Sequence, residues 1–127
     1  MVNQTKPEGF HSITPYFTVN EANAFIDFLI NAFDGKEQSR SLRPDGTIAN
    51  AQVKIGDSIV EISDARPTFP PTTMAIHLYV ADVDAVHKNA VNAGATSIRE
   101  PTNQPYGDRD SFVKDPFGNS WYIATHL

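Results

Sequence analysis

Few residues in this 127-residue chain could do chemistry, and most sit in short segments whose side chains alternate between apolar and polar. Glu61 lies in IVEIS and His77 in AIHLY. A carboxylate and an imidazole brought side by side shift each other's pKa, and the pair could move a proton or orient a ligand oxygen. Glu61 and His77 are therefore the catalytic candidates. Tyr16, Tyr79 and Tyr122 occupy equivalent alternating segments, and aromatic walls stack on planar ligands. Arg109, in GDRD, could clamp an anion with two parallel hydrogen bonds. Each candidate also has a plainer reading. His77 could be a half-buried imidazole satisfied by a carbonyl or hydroxyl. Glu61 could pair with a cation such as Arg109, and Arg109 could bridge to Asp108, Asp110 or Asp115. The tyrosines could be ordinary packing. His11, His87 and His126 read as peripheral, because none has a histidine or glutamate at metal-binding spacing.

Other chemistries are excluded. There is no cysteine, so disulfides, thiolate metal sites and cysteine nucleophiles do not arise. That absence fits a reducing, cytoplasmic setting. No glycine-rich phosphate loop is present. The net charge is −5 with both signs scattered, which argues against nucleic acid, whose binding needs a basic patch. No apolar run approaches the ~18 residues that would span a bilayer, and the polar N-terminus shows no signal peptide.

The elements that must position these residues follow from periodicity. ITPYFTV (13–19) alternates as a half-buried strand, with Pro15 marking an edge or bulge. A helix pattern over NEANAFIDFLINAFDG places Ala22, Phe25, Ile26, Leu29 and Phe33 on one stripe, with Asn20 as N-cap and Gly35 beyond the end. Strands are expected near 37–43, 47–55 and 57–63, the first two joined by the Asp45-Gly46 hairpin signal. DARPTFPPTTM (64–74) reads as a proline-rich linker. The order then restarts. MAIHLYV alternates, DVDAVHKNAVNAG carries a second apolar stripe with Asp82 as cap and Gly94 as stop, and strands are expected near 95–100, 109–114 and 119–125. A shift of 61 residues sets Val19 on Val80, Ala24 on Ala85 and Ile62 on Ile123. The chain is thus an internal β-α-β-β-β repeat: module one about 10–64, a linker about 65–73, and module two about 74–127, in one domain 1–127. Half a chain this short would hardly bury a core alone.

On phase, Phe17, Val19, Val60, Ile62, Leu78 and Val80 should face the helices. Tyr16, Glu61, His77, Tyr79 and Tyr122 should then line the other side. Such a mixture suits a small organic ligand. The Asp115-Pro116-Phe117-Gly118 stretch is turn chemistry that sets the last strand.

The segments HLYVADVDA, GDRDSFVKDPFGNSWYIATH and ITPYFTVNEANAFIDFLINAF resemble the vicinal oxygen chelate superfamily, which includes glyoxalase I, bleomycin-resistance proteins and extradiol dioxygenases. The ending is most similar to its PhnB-like branch, with Asn119 where that branch often has His and Asp110-Ser111 where it often has Tyr-Gly. The resemblance implies an α+β fold: two βαβββ modules forming a curved mixed sheet around a concave pocket, with helices on the outer face. It also implies a divalent metal in some members, held by residues on the first and last strands of each module. Those positions here read Thr14, Glu61, Ala75 and Tyr122, so no metal site is expected. The expected function is small-molecule binding and sequestration of the bleomycin-resistance type. Tyr16, Glu61, His77, Tyr79, Arg109 and Tyr122 would line the pocket of a homodimer. The alternative is a lyase or isomerase of the glyoxalase type using Glu61 and His77, with or without a metal.

Overall fold

The structure, a computed structural model, describes residues 5–127. Module one runs β1 (Tyr16–Val19), α1 (Ala22–Phe33), β2 (Lys36–Leu42), β3 (Ile48–Ile55) and β4 (Ser58–Asp64). Module two repeats the order with β5 (Ala75–Tyr79), α2 (Val83–Asn92), β6 (Thr96–Asn103), β7 (Asp108–Lys114) and β8 (Ser120–His126). The class is α+β, as expected. The strands divide into two sheets, one per module, in the orders β1-β4-β3-β2 and β5-β8-β7-β6. In each the first strand runs parallel to the last and the remaining pairs are antiparallel.

In β1 the side-chain phase follows the alternation. Phe17 and Val19 are buried, while Tyr16 is exposed and Thr18 half-buried. β1 is shorter than the alternation over 13–19 implies. Pro15 has no N–H for a ladder; its carbonyl accepts from Glu61 N at 2.9 Å, and Ile13, ahead of it, is 85% exposed.

The helix ends depart from local expectation. Asn20 does not cap α1. The first turn is instead capped from a distant strand, where Asp64 Oδ1 accepts from Ala22 N at 2.8 Å and its Oδ2 accepts from Ile48 N at 2.7 Å. One carboxylate thus ties the ends of α1, β3 and β4 together. The left-handed residue that ends α1 is Asp34 (φ 56°). Gly35 serves close packing, since a Cβ there would lie 2.9 Å from Val53 Cγ1. In module two, Asp82 caps α2 as expected, accepting from Ala85 N at 3.1 Å.

The modules share one core. Phe17 of β1 stacks on Trp121 of β8 with ring centroids 5.8 Å apart, and Phe33 of α1 meets the same indole at 4.5 Å. α1 and α2 pack on each other, and no strand of one sheet pairs with a strand of the other. The helix-bearing sides are therefore what the two modules hold in common. Within one chain the two opposite faces do not enclose a single hollow, because burying Phe17, Phe33 and Trp121 together turns those faces outward.

Candidate functional site

The registers place the expected lining residues. Tyr16 is opposite Glu61 in the β1–β4 pair, and Glu61 is opposite Gln52 in β3–β4. Asn50, two residues along, donates from Nδ2 to Glu61 Oε1 at 3.0 Å. Glu61 is thus satisfied by a neighbouring amide rather than by a cation. On the second sheet His77 is opposite Tyr122, and Tyr122 is opposite Phe112. The His77 and Tyr79 rings lie 4.8 Å apart, and Phe112 stacks on Tyr122 at 4.4 Å. Tyr16 with Glu61 forms one group, and His77, Tyr79 and Tyr122 form another. The chain does not bring Glu61 to His77, since they stand on different sheets and no strand of one pairs with a strand of the other.

Arg109 joins neither group. Its guanidinium donates to Asp84 of α2 at 2.8 and 2.9 Å and to Asn103 at 3.2 Å. In an alternating strand Arg109 must lie opposite to Asp108 and Asp110. It therefore sits on the helix side, beside Ser111, whose hydroxyl reaches α2. The expected partners Asp108, Asp110 and Asp115 are all occupied elsewhere.

Asp108 and Asp110 share the lining side of β7 and are both buried. Asp108 takes His126 Nδ1 at 2.7 Å and the Tyr79 hydroxyl at 2.8 Å. The hydrogen bond from His126, then that from Tyr79, holds the Asp108 carboxyl below the usual range, while the same contact pushes the Tyr79 phenol up. Burial works against the charge of Asp110. Hydrogen bonds from Tyr106, Arg99 and Gln104 outweigh it, and this carboxyl also lies below the usual range. His126 is thus part of the lining rather than peripheral, although its side chain stays 74% exposed. His87 is also misplaced by spacing arguments. It is buried on α2 between Ser111 Oγ at 2.8 Å and Ser97 Oγ at 2.9 Å.

The turn before β8 behaves as its sequence implies. Asp115 Oδ1 accepts from Phe117 N and Asn119 N at 2.8 and 2.9 Å, and Oδ2 accepts the Trp121 indole N–H at 2.8 Å. One buried carboxylate thereby sets both the turn and the shared core ring, which fixes the phase that presents Tyr122.

The proline-rich segment is more than a connection. Arg66 and Phe69 exchange backbone hydrogen bonds of 2.9 and 2.8 Å across Pro67-Thr68. Ala65 N and Thr72 N donate to Val19 O and Thr18 O, at 2.8 and 3.0 Å, which ties the segment to β1. It covers one end of the module-one lining, where a cavity of about 220 Å³ opens beside Tyr16, Ser63, Arg43, Arg66 and Phe69. A larger hollow of about 310 Å³ lies between α2 and Glu100, away from both linings. Sequence reasoning missed Arg66 and Phe69. Their signal was that they are the single charged and the single aromatic residue between 65 and 74. Asp108, Asp110 and Phe112 were legible from the same alternation that placed Tyr122.

The family metal positions supply a hydroxyl at Thr14, a carboxylate at Glu61, a methyl at Ala75 and a phenol at Tyr122. With Ala75 unable to coordinate and Glu61 bound to Asn50, this donor set does not fit a divalent ion. Among the described residues no three His, Cys, Asp or Glu side chains cluster to hold a metal.

Paired βαβββ modules, each with a helix on one face and an aromatic and polar lining on the other, define the class. The chain belongs to the Glyoxalase/Bleomycin resistance protein/Dioxygenase superfamily, whose family model matches residues 9–123. An uncharacterized protein of Mycobacterium bovis is 37% identical over 124 residues, covering 89% of this chain and 82% of its own length. TioX from Micromonospora sp. ML1 has a similar fold (TM-score 0.72, 23% identity, 91% of this chain and 100% of that one). So does TnmS3, an antibiotic binding protein from Streptomyces sp. CB03234 (TM-score 0.69, 23% identity, 92% and 98%). The PhnB protein of Bacillus cereus matches at TM-score 0.70 with 16% identity over 91% and 99% of the two chains. At these identities the structural likeness concerns the fold. Among the described residues no helix is long and apolar enough to cross a membrane.

Proposed function

We propose that the protein binds and sequesters planar small organic molecules without transforming them. It does so as a homodimer in which the module-one lining of one copy covers the module-two lining of the other. The observation that carries this reading is the pair of outward faces. Each presents large aromatic side chains to solvent, with Tyr16 45% and Tyr79 59% exposed, beside carboxylates that are already hydrogen-bonded: Glu61 to Asn50, Asp108 to Tyr79 and His126, and Asp110 to Arg99 and Gln104. Flat rings with satisfied neighbours give affinity and orientation, and no activated nucleophile accompanies them. The fold neighbour TnmS3 is an antibiotic binding protein, which supports a small-molecule ligand here. No metal enters at Thr14, Glu61, Ala75 and Tyr122.

The test combines sedimentation with fluorescence titration of an anthraquinone. A dimer at micromolar concentration is expected. Tyr122→Ala and Tyr16→Ala should each weaken binding roughly three- to tenfold, the worth of one lost aromatic contact. A protein that stays monomeric, or affinities that neither substitution changes, would overturn the proposal. The lyase or isomerase reading also needs the dimer, since that arrangement would place Glu61 of one copy and His77 of the other in one space. Turnover of a bound compound that disappears in Glu61→Gln would favour it.

A further inference from the structure

Of the five arginines in the chain, three pair with carboxylates: Arg40 with Glu37, Arg99 with Asp110 and Arg109 with Asp84. The remaining two, Arg43 and Arg66, have no ion-pair partner among the described residues, and both line the same cavity of about 220 Å³. In a chain of net charge −5, two unpaired guanidiniums at one cavity are not what scattered charge would produce. Arg43 stands at the base of the β2–β3 hairpin and is partly anchored, donating to Thr47 Oγ1 at 3.1 Å and to the Asp64 carbonyl at 3.3 Å. Both oxygens of the nearby Asp64 carboxylate are taken by backbone N–H groups. Arg66 is exposed and stands over the Phe69 ring, 5.3 Å from its centroid. The reciprocal backbone bonds across Pro67-Thr68, and the two bonds to β1, hold Arg66 in place before any ligand arrives.

We infer that this cavity is an anion subsite, taking the carboxylate or phenolate of an aromatic ligand whose ring packs on Tyr16 and Phe69. The assignment rests on the binding function proposed above and narrows its ligand class to aromatic oxyanions. Guanidinium is the side chain suited to this task, because its planar fork matches a carboxylate and its face tolerates aromatic stacking. The hydroxyls of Thr18 and Ser63 line the same cavity wall or adjoin it on β1 and β4 and can donate to the same oxyanion. The cavity is smaller than the roughly 300 Å³ at which drug-sized sites begin. It therefore receives one acid-bearing end of a larger molecule, or a molecule of one or two rings.

A matched pair of probes, 2-naphthoate and 2-naphthamide, separates charge from ring stacking. Isothermal titration should find naphthoate bound roughly tenfold more tightly, as expected for one charge-assisted hydrogen-bonded contact. The preference should shrink with salt. Arg66→Gln, at an exposed position, should bring the two probes to equal affinity while naphthamide binding stays within about twofold, with the melting temperature followed as the check on folding. Arg43→Gln should do the same, with its melting temperature followed because Arg43 also braces the hairpin. Equal affinities in the unaltered protein, or a preference that survives both substitutions, would overturn the anion subsite and leave aromatic binding on the faces standing. If neither probe bound, the subsite would be wrong, and the anthraquinone titration with Tyr122→Ala, on the other module, would decide the broader function separately.

Discussion

α1 sets Phe25, Ile26, Leu29 and Phe33 against the core, whereas α2, in the equivalent place, sets Val83, Ala90 and the imidazole of His87. Val86 and Ala93 add only partly buried apolar surface, and the remaining ties of the second interface are polar. His87 links Ser111 to Ser97, Asp84 holds Arg109, and Val83 N donates to Thr125 Oγ1 at 3.0 Å. The linings differ in the opposite sense. The module-one lining, with the linker over its end, carries two unpaired arginines, Arg43 and Arg66, and an amide-bound Glu61, while module two carries buried carboxylates that are engaged by Tyr79, His126, Arg99 and Tyr106. One repeat thus supplies most of the apolar core, while the other is positioned largely by hydrogen bonds between side chains. Duplicated topology does not require duplicated energetics, because only the apolar phase of each strand must be kept.

The contrast can be broken most sharply in the core. Phe25→Ala should cost about 3–5 kcal/mol, since it empties a fully buried ring site, whereas Val86→Ala on the half-buried stripe of α2 should cost no more than about 1–2 kcal/mol. Urea midpoints measure both, and equal losses would show that the two helices carry equal shares of the core. Next comes the turn of module two. Asp115→Ala leaves two backbone N–H groups and the Trp121 indole without acceptors and should cost about 2–3 kcal/mol, read by the same urea midpoints.

The engaged carboxylates give module two a pH signature. Asp108 and Asp110 are held below the usual carboxylate range, so the folded state takes up these protons less readily than the unfolded chain. Their stabilisation is complete above the unfolded aspartate value of about 3.9, and is lost as pH falls below that value through the lower folded ones. Asp108→Asn should therefore lose less stability than the parent protein between neutral pH and that acid region. Parallel stability profiles would show that the carboxylate is not differentially held. The smallest effect is expected at Arg109→Ala. Its pair with Asp84 lies at the surface, and exposed pairs contribute about 1 kcal/mol or less. A larger loss would mean that this tie, and not the His87 link, seats α2.

Much of the fold was legible from local pattern. The stripe of α1, the alternation of β5 and β8, the Asp115-Pro116-Phe117-Gly118 turn and the repeat offset all depend on neighbours in the chain. Tyr16, Glu61, His77, Tyr79 and Tyr122 stand on the sides that alternation assigned, because a strand cannot move one side chain across without moving all of them. Arg109 broke from the candidate list for the same reason, since its phase opposes that of Asp108 and Asp110. The cap of α1 was not legible, because its acceptor, Asp64, is 42 residues from Ala22.

By itself, then, the sequence determined the element order, the repeat and which side of each strand is apolar, since these depend on steric period and burial within a few residues. Tertiary structure alone decided that the helix-bearing sides meet around Trp121, that Glu61 and His77 are therefore parted, and that Arg43 and Arg66 converge from a hairpin and a proline-rich turn. Those outcomes depend on how separate elements dock, and docking is set by the fit of distant side chains that no local period records.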